Sequence, residues 1–253
     1  ERLLLALHRS KPMLLSQLLT MDYRLFAGPF SGSGFTKEPQ MLGNGYAPQP
    51  APNGLWVAYS QQLVNRTRLL VSEIATNQPK IVSSTTPGLY LREFPTDLVY
   101  QNVAWHPKGN ELYFVDQPGD TDFILRRYRL HASEAESFPA TKTSEVMTDV
   151  HPLANGRTVS YLTRSGDGCT LHLLDVTAGS DRVITRFPCA RQTSLRGWTR
   201  GDAAAVIVRP LKLNEDTTHS AEVILVTPDG RHSRVQRLES VFLSSTRLDA
   251  DRS

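Results

Sequence analysis

Trp105-His106-Pro107-Lys108-Gly109-Asn110-Glu111-Leu112-Tyr113-Phe114 reads as the end of a short strand, a tight turn and the start of a second strand. Pro107 and Gly109 are turn formers, and the flanking residues are aromatic or apolar. The same plan stands upstream, as Pro52-Asn53-Gly54 before Leu55-Trp56-Val57-Ala58-Tyr59. Downstream it returns as His151-Pro152-Leu153-Ala154-Asn155-Gly156 before Arg157-Thr158-Val159-Ser160-Tyr161-Leu162. A degenerate copy, Arg200-Gly201-Asp202, precedes Ala203-Ala204-Ala205-Val206-Ile207-Val208. The turn glycines Gly54, Gly109, Gly156 and Gly201 lie 55, 47 and 45 residues apart. That period suits a four-stranded propeller blade, and stacked sheets give each short unit a core it could not build alone.

The expected fold class is therefore all-β: a β-propeller of four-stranded antiparallel blades. Six blades are expected, with five as the alternative, and a split blade built from both termini would close the ring. No 10–15-residue helical pattern alternates with the strands, which argues against parallel α/β folds. The propeller is expected over residues 21–253. Residues 1–20 are expected to be an N-terminal edge-packing or linker segment. Their leucines, Leu3, Leu4, Leu7, Leu14, Leu15, Leu18 and Leu19, fit short helices on either side of Pro12, or a strand of a first or final blade. Pro29 is expected to stop a regular ladder, and Gly43 to Gly54 reads as irregular.

Charge and composition exclude more than they assign. The chain has 28 basic and 25 acidic residues, a net charge of +3, and gives no strong reason to expect nucleic acid or an anionic membrane. No apolar run approaches the roughly 18 residues of a membrane span. The opening Glu1-Arg2-Leu3-Leu4-Leu5 is not read as an intact signal peptide, so a mature chain or excised domain is expected. The compartment stays open. Cys169 and Cys189 could pair across a blade; two buried free thiols are at least as favoured.

No catalytic residue, cofactor or metal ligand is assigned. Ser60, Ser165 and Ser194 lack a nucleophile-elbow context, and the histidines are scattered. Cys169 and His172 fall on opposite faces of one strand. Asp116, Asp120 and Asp122 around a hairpin offer hard oxygen ligands, but solvated acids are the expected reading. His106 and His151 stand in equivalent turns of adjacent units, where turn capping is expected over a shared metal. Arg127 and Arg129 share one strand face, with Arg126 and Tyr128 on the other. These arginines could meet an acidic peptide or phosphate, or form salt bridges to a neighbouring blade with acids such as Asp175 and Asp181. Phe35, Tyr46, Tyr90 and Phe94 lie in stretches read as loops, and are candidate interaction residues or loop anchors. Trp105 and Trp198 precede comparable turns and are expected between blades, with Lys108 near solvent.

The stretch Trp105 to Phe114 resembles the repeated tryptophan-serine-proline-aspartate-glycine motif of the TolB-type, WD40-like propeller repeat family. His151-Pro152 with Asn155-Gly156-Arg157, and Trp198-Thr199-Arg200-Gly201-Asp202, match it less closely. The resemblance covers about residues 50–235. His106 replaces the usual serine, Lys108 replaces the usual aspartate, the third unit has an extra turn residue and the fourth lacks the proline. What it implies is a noncatalytic protein–protein interaction scaffold, whose partner is another protein or a domain of a larger parent chain. It also fits a propeller enzyme, or a propeller accessory to a prolyl oligopeptidase-like hydrolase. A phosphate- or nucleic-acid-binding module through Arg126, Arg127 and Arg129 is the third alternative. The repeat itself does not choose among them.

Overall fold

The computed structural model describes residues 2–9, 13–15, 18–20, 23–31, 34–35, 38, 40–63, 66–85, 102–118, 122–190, 193–210 and 220–238. Within them the fold is all-β, with five four-stranded sheets and one two-stranded hairpin. The chain divides into two compact units, Glu1–Thr121 with Arg126–Ser137, and Asp122–Leu125 with Phe138–Ser253.

The first sheet contains β1 (Arg2–Arg9), β4 (Tyr23–Ser31), β5 (Gly34–Phe35) and β6 (Gln40–Asn44), while β2 (Met13–Leu15) and β3 (Leu18–Thr20) form the separate hairpin. The second sheet runs in chain order through β7 (Tyr46–Pro50), β8 (Trp56–Leu63), β9 (Arg66–Glu73) and β10 (Gln78–Thr85). The third runs through β11 (Val103–Trp105), β12 (Glu111–Asp116), β13 (Ile124–Arg129) and β14 (Glu136–Ser137). The fourth comprises β15 (Val146–Pro152), β16 (Thr158–Ser165), β17 (Gly168–Asp175) and β18 (Ser180–Pro188). The fifth comprises β19 (Ser194–Trp198), β20 (Ala205–Pro210), β21 (Ala221–Val226) and β22 (His232–Leu238).

The structure decides one open alternative and changes two local expectations. The leucine-rich start is a strand and not a pair of helices: β1 is paired with β4 from Arg2↔Phe30 to Arg9↔Tyr23. Its backbone groups find ladder partners there without needing helical bonds that Pro12 would interrupt. Pro29 does not stop the ladder either. On the far side of β4, β6 pairs Arg24–Ala27 and β5 pairs Phe30–Ser31, so Pro29 sits where neither needs its missing N–H. The stretch after Gly43 is likewise not irregular, because β7 is an edge strand. Its register shifts between Tyr46 and Gln49, and Ala47 holds φ 55, so a bulge accommodates Pro48.

The repeated turn is closed by the same bonds four times. Ala51, His106, Leu153 and Thr199 each donate a backbone N–H to the carbonyl five residues on, at 2.8 to 2.9 Å. The residue three positions on donates back: Gly54, Gly109, Gly156 and Asp202. Those four hold φ of 71, 69, 65 and 57. The fourth turn is therefore registered on Asp202, one residue beyond Gly201. The third is registered on Leu153, which removes the presumed equivalence of His106 and His151. Trp105 and Trp198 remain true equivalents, each one residue before the turn.

These turns also touch within each unit. Asn53 Nδ2 donates to the Gly109 carbonyl at 3.1 Å, and Asp202 accepts from the Ala154 and Asn155 N–H groups at 3.0 and 3.2 Å. A Cβ on Gly109 would lie 2.8 Å from the Asn53 side chain, whereas one on Gly54 would meet nothing within 4 Å. Gly54→Ala is expected to cost about 1–2 kcal/mol, the left-handed penalty alone. Gly109→Ala should cost more, because Asn53 must also move. Parallel urea melts of the two variants check the order.

Candidate functional site: a polar pocket on the fourth sheet

Alternation along β16 and β17 sends side chains to two different environments. Leu162, Cys169 and Leu171 enter an apolar cluster with Phe187, Leu195, Ala205, Ile207 and Val226. Cys169 and Cys189 are joined there by a disulfide with a Cα–Cα distance of 5.1 Å, so the favoured free-thiol reading gives way to the pairing. The opposite face carries Tyr161, Thr163, Thr170 and His172, with Asp181 and Arg186 from β18. Together with Ala140–Thr143 and Glu145 they line a cavity of about 240 Å³.

Register explains the assembly. Tyr161 pairs with His172 and Thr163 with Thr170 across β16 and β17. A bulge opposite Leu171 and His172 resets β18 near Asp181. The Tyr161 and His172 rings stack, with centroids 4.7 Å apart and planes 10° off parallel. His172 Nδ1 lies 2.8 Å from Asp181 Oδ2, and Nε2 lies 3.1 Å from Thr163 Oγ1. The carboxylate requires the proton on Nδ1, so in the neutral ring Nε2 accepts from the Thr163 hydroxyl. Burial first, and then the Asp181 carboxylate, push the Tyr161 phenol well above its ordinary range.

A carboxylate, an imidazole and a hydroxyl in series is the order used to activate a nucleophile. Here Thr163 is 2% exposed, and its hydroxyl is committed to the ring. The series fits a pin that joins three strands better than a reacting centre. His172→Ala strands Asp181 and Thr163 without their shared partner, and is expected to cost about 1–3 kcal/mol. Chemical denaturation of that variant beside the parent protein reads this. The signal was present in the sequence as polar residues alternating on paired strands, Tyr161-x-Thr163 against Thr170-x-His172. Its meaning depends on the register of β16, β17 and β18, which alternation on one strand does not give.

The arginines of β13 are engaged within their own sheet. Arg126 Nη1 meets Asp116 Oδ2 at 2.7 Å, and Nη2 donates to the Ala135 carbonyl at 2.9 Å. Arg127 meets Glu136 at 2.7 Å and Glu111 at 3.8 Å, and Arg129 reaches the same two acids at 3.4 and 3.5 Å. Their partners are thus Asp116, Glu111 and Glu136, not Asp175 or Asp181 of another sheet. Burial would lower the Arg127 pKa, but Glu136 and Glu111 outweigh it and hold it above its ordinary value. Asp116 is not a solvated hairpin acid: it is 5% exposed and also accepts from Ser83 Oγ at 3.1 Å and the Gln117 N–H at 3.0 Å. Asp122 pairs with Lys142 at 2.9 Å, and Asp120 lies outside the described residues.

His106 does cap its turn, with Nδ1 accepting from the Lys108 N–H at 3.1 Å. The His151 ring instead reaches the Leu195 carbonyl of the fifth sheet at 2.8 Å. Phe35 ends β5 and Tyr46 begins β7, so both belong to strands and not to free loops. Tyr90 and Phe94 lie outside the described residues. Among the described residues no three His, Cys, Asp or Glu side chains converge on a metal position, and no helix is long and apolar enough to cross a membrane.

Neither protein-family models nor curated protein sequences match the chain. Solved structures do resemble its fold. TolB from Acinetobacter baumannii is 12% identical with a TM-score of 0.53, the match covering 84% of this chain and 48% of that one. An oligogalacturonate lyase in complex with manganese is 13% identical with a TM-score of 0.55, over 86% of this chain and 62% of that one. The tricorn protease is 12% identical with a TM-score of 0.58, over 91% of this chain and 26% of that one. The fold is that of TolB-like β-propellers, and the chain spans less than two thirds of each of these proteins.

Proposed function

We propose that this chain is a noncatalytic propeller module that holds another protein, or another domain of a longer parent chain. The observation that carries the reading is the set of five four-stranded antiparallel sheets with recurring turns, in the manner of TolB. The arginines of β13 and the Asp181–His172–Thr163 series add support, because each makes ion pairs or hydrogen bonds within its own sheet. Five sheets among the described residues favour the five-bladed alternative. A six-bladed ring needs another blade from residues outside them. The propeller is proposed to begin with β1 and not at residue 21, since β1 is a full partner of β4.

The residues proposed for a contact rim are 28–54, with Phe35 and Tyr46 among them, and two segments almost entirely outside the described residues, 85–97 with Tyr90 and Phe94, and 211–220. Cross-linking of the full chain in its native assembly, followed by binding assays with each segment exchanged, tests this. A partner whose binding weakens on exchange supports the rim. A partner indifferent to every exchange, or specific turnover of a small molecule by the purified chain, reverses the reading.

The likeness to tricorn protease favours a second reading, a propeller accessory to a hydrolase. Loss of peptidase activity from the native assembly on removing this chain would select it. Phosphate or nucleic-acid binding through Arg126, Arg127 and Arg129 is the least favoured, because Asp116, Glu111 and Glu136 already meet those charges.

A further inference from the structure

Two side chains of β15 grip one residue of β19 by its backbone. The Leu195 N–H donates to Asp149 Oδ2 at 3.2 Å. His151 Nε2 lies 2.8 Å from the Leu195 carbonyl oxygen, so the ring N–H donates there. Both strands are irregular at the grip: β15 shifts register between Thr148 and His151, and β19 between Leu195 and Gly197. Asp149 holds φ 56, a left-handed conformation that the surrounding contacts must maintain. It is 1% exposed, and its Oδ1 is buried without a hydrogen-bond partner. The charged groups facing it are Arg164 from β16, 3.9 Å from Oδ2, and Arg196 from β19, which also acts on His151. The Thr148 hydroxyl donates to Oδ2 at 3.3 Å.

We infer that this double grip is a proton-balanced clasp between the fourth and fifth sheets, in which Asp149 and His151 answer mild acid with opposite effects on the joint. Burial, the largest influence, pushes the Asp149 carboxyl from 3.8 up to about 6, against the lowering effects of Arg164, the Leu195 N–H, Arg196 and Thr148. As pH falls from 6 towards 4 the folded form takes this proton before the unfolded chain does, and stability is gained. Burial lowers His151 from 6.5 to about 4, helped by Arg196 and opposed by the Leu195 carbonyl. The unfolded chain takes that proton first, and stability is lost over the same interval. The two linkages offset each other between about pH 4 and 6. Below that window both groups carry their protons in the folded and the unfolded chain alike, and neither linkage changes stability further.

Urea melts of the full chain from pH 4 to 7 test the balance, with Asp149→Asn and His151→Gln as the variants. Relative to the parent, Asp149→Asn should lose stability towards acid, its linkage slope changing by about one proton. His151→Gln should gain stability towards acid. Its slope should change by about one proton in the opposite sense. In the unmutated protein the Leu195 amide resonance should follow a transition near pH 6, with the His151 ring still neutral at pH 5. Variants with the parent's pH dependence overturn the clasp. So does a Leu195 amide that does not shift between pH 4 and 7, a readout that stands even if a variant fails to fold.

Discussion

Trp105→Ala is expected to destabilise the protein by about 3–5 kcal/mol, while Lys108→Ala, three residues away, stays within about 0.5 kcal/mol. Trp105 is 8% exposed and packs in an apolar cluster with Ala51, Ala58, Leu69, Val71, Leu112, Phe114 and Tyr128. Its indole Nε1 also donates to the Gln49 carbonyl at 2.8 Å. Truncation therefore opens a large cavity and leaves a carbonyl of β7 without its donor. Lys108 is exposed, and it is the backbone N–H of this residue that the His106 ring receives. The turn keeps that bond when the side chain is shortened. Equal denaturation midpoints for the two variants would refute the placement.

Opening the disulfide should have a comparable effect. The crosslink spans a sequence separation of 20. By the chain-entropy relation a loop of that length restricts the unfolded chain by about 3 kcal/mol. Cys169 is 1% exposed within the cluster that joins the fourth and fifth sheets, so removing its sulfur also leaves an apolar gap. Cys169→Ala/Cys189→Ala is expected to melt well below the parent. The parent in strong reductant should fall towards the double variant. A parent whose midpoint ignores reductant, and matches the double variant, would remove the crosslink from the account of stability.

The blades were legible because their signals are local. A glycine or aspartate with positive φ, a closing bond across five residues and an indole one step earlier all lie within a few positions of one another. The edge strands were harder to see. β7 contains two prolines, and β1 carries a leucine run that fits a helix as well as a strand; only the partner strand decides each. The pocket was harder still. His172 takes its meaning from Thr163 and Asp181, nine residues away on either side, and three strands must be registered before the series exists. The same applies to Leu195, whose grip by Asp149 and His151 depends on two bulges that no alternation pattern announces.

The backward reach of the tryptophans has a consequence for the growing chain. Trp198 donates to Ser160 Oγ across 38 residues, and Trp105 to Gln49 across 56. During synthesis from the N-terminus, the second and fourth sheets emerge before the indoles that bind back to them. Once complete, the second sheet waits about 1–4 s and the fourth about 0.5–2 s at ordinary translation rates of about 5–20 residues per second. A nascent chain paused within that interval would hold apolar surface that Trp105 or Trp198 later covers, and is expected to bind a chaperone more readily than one paused after the tryptophan.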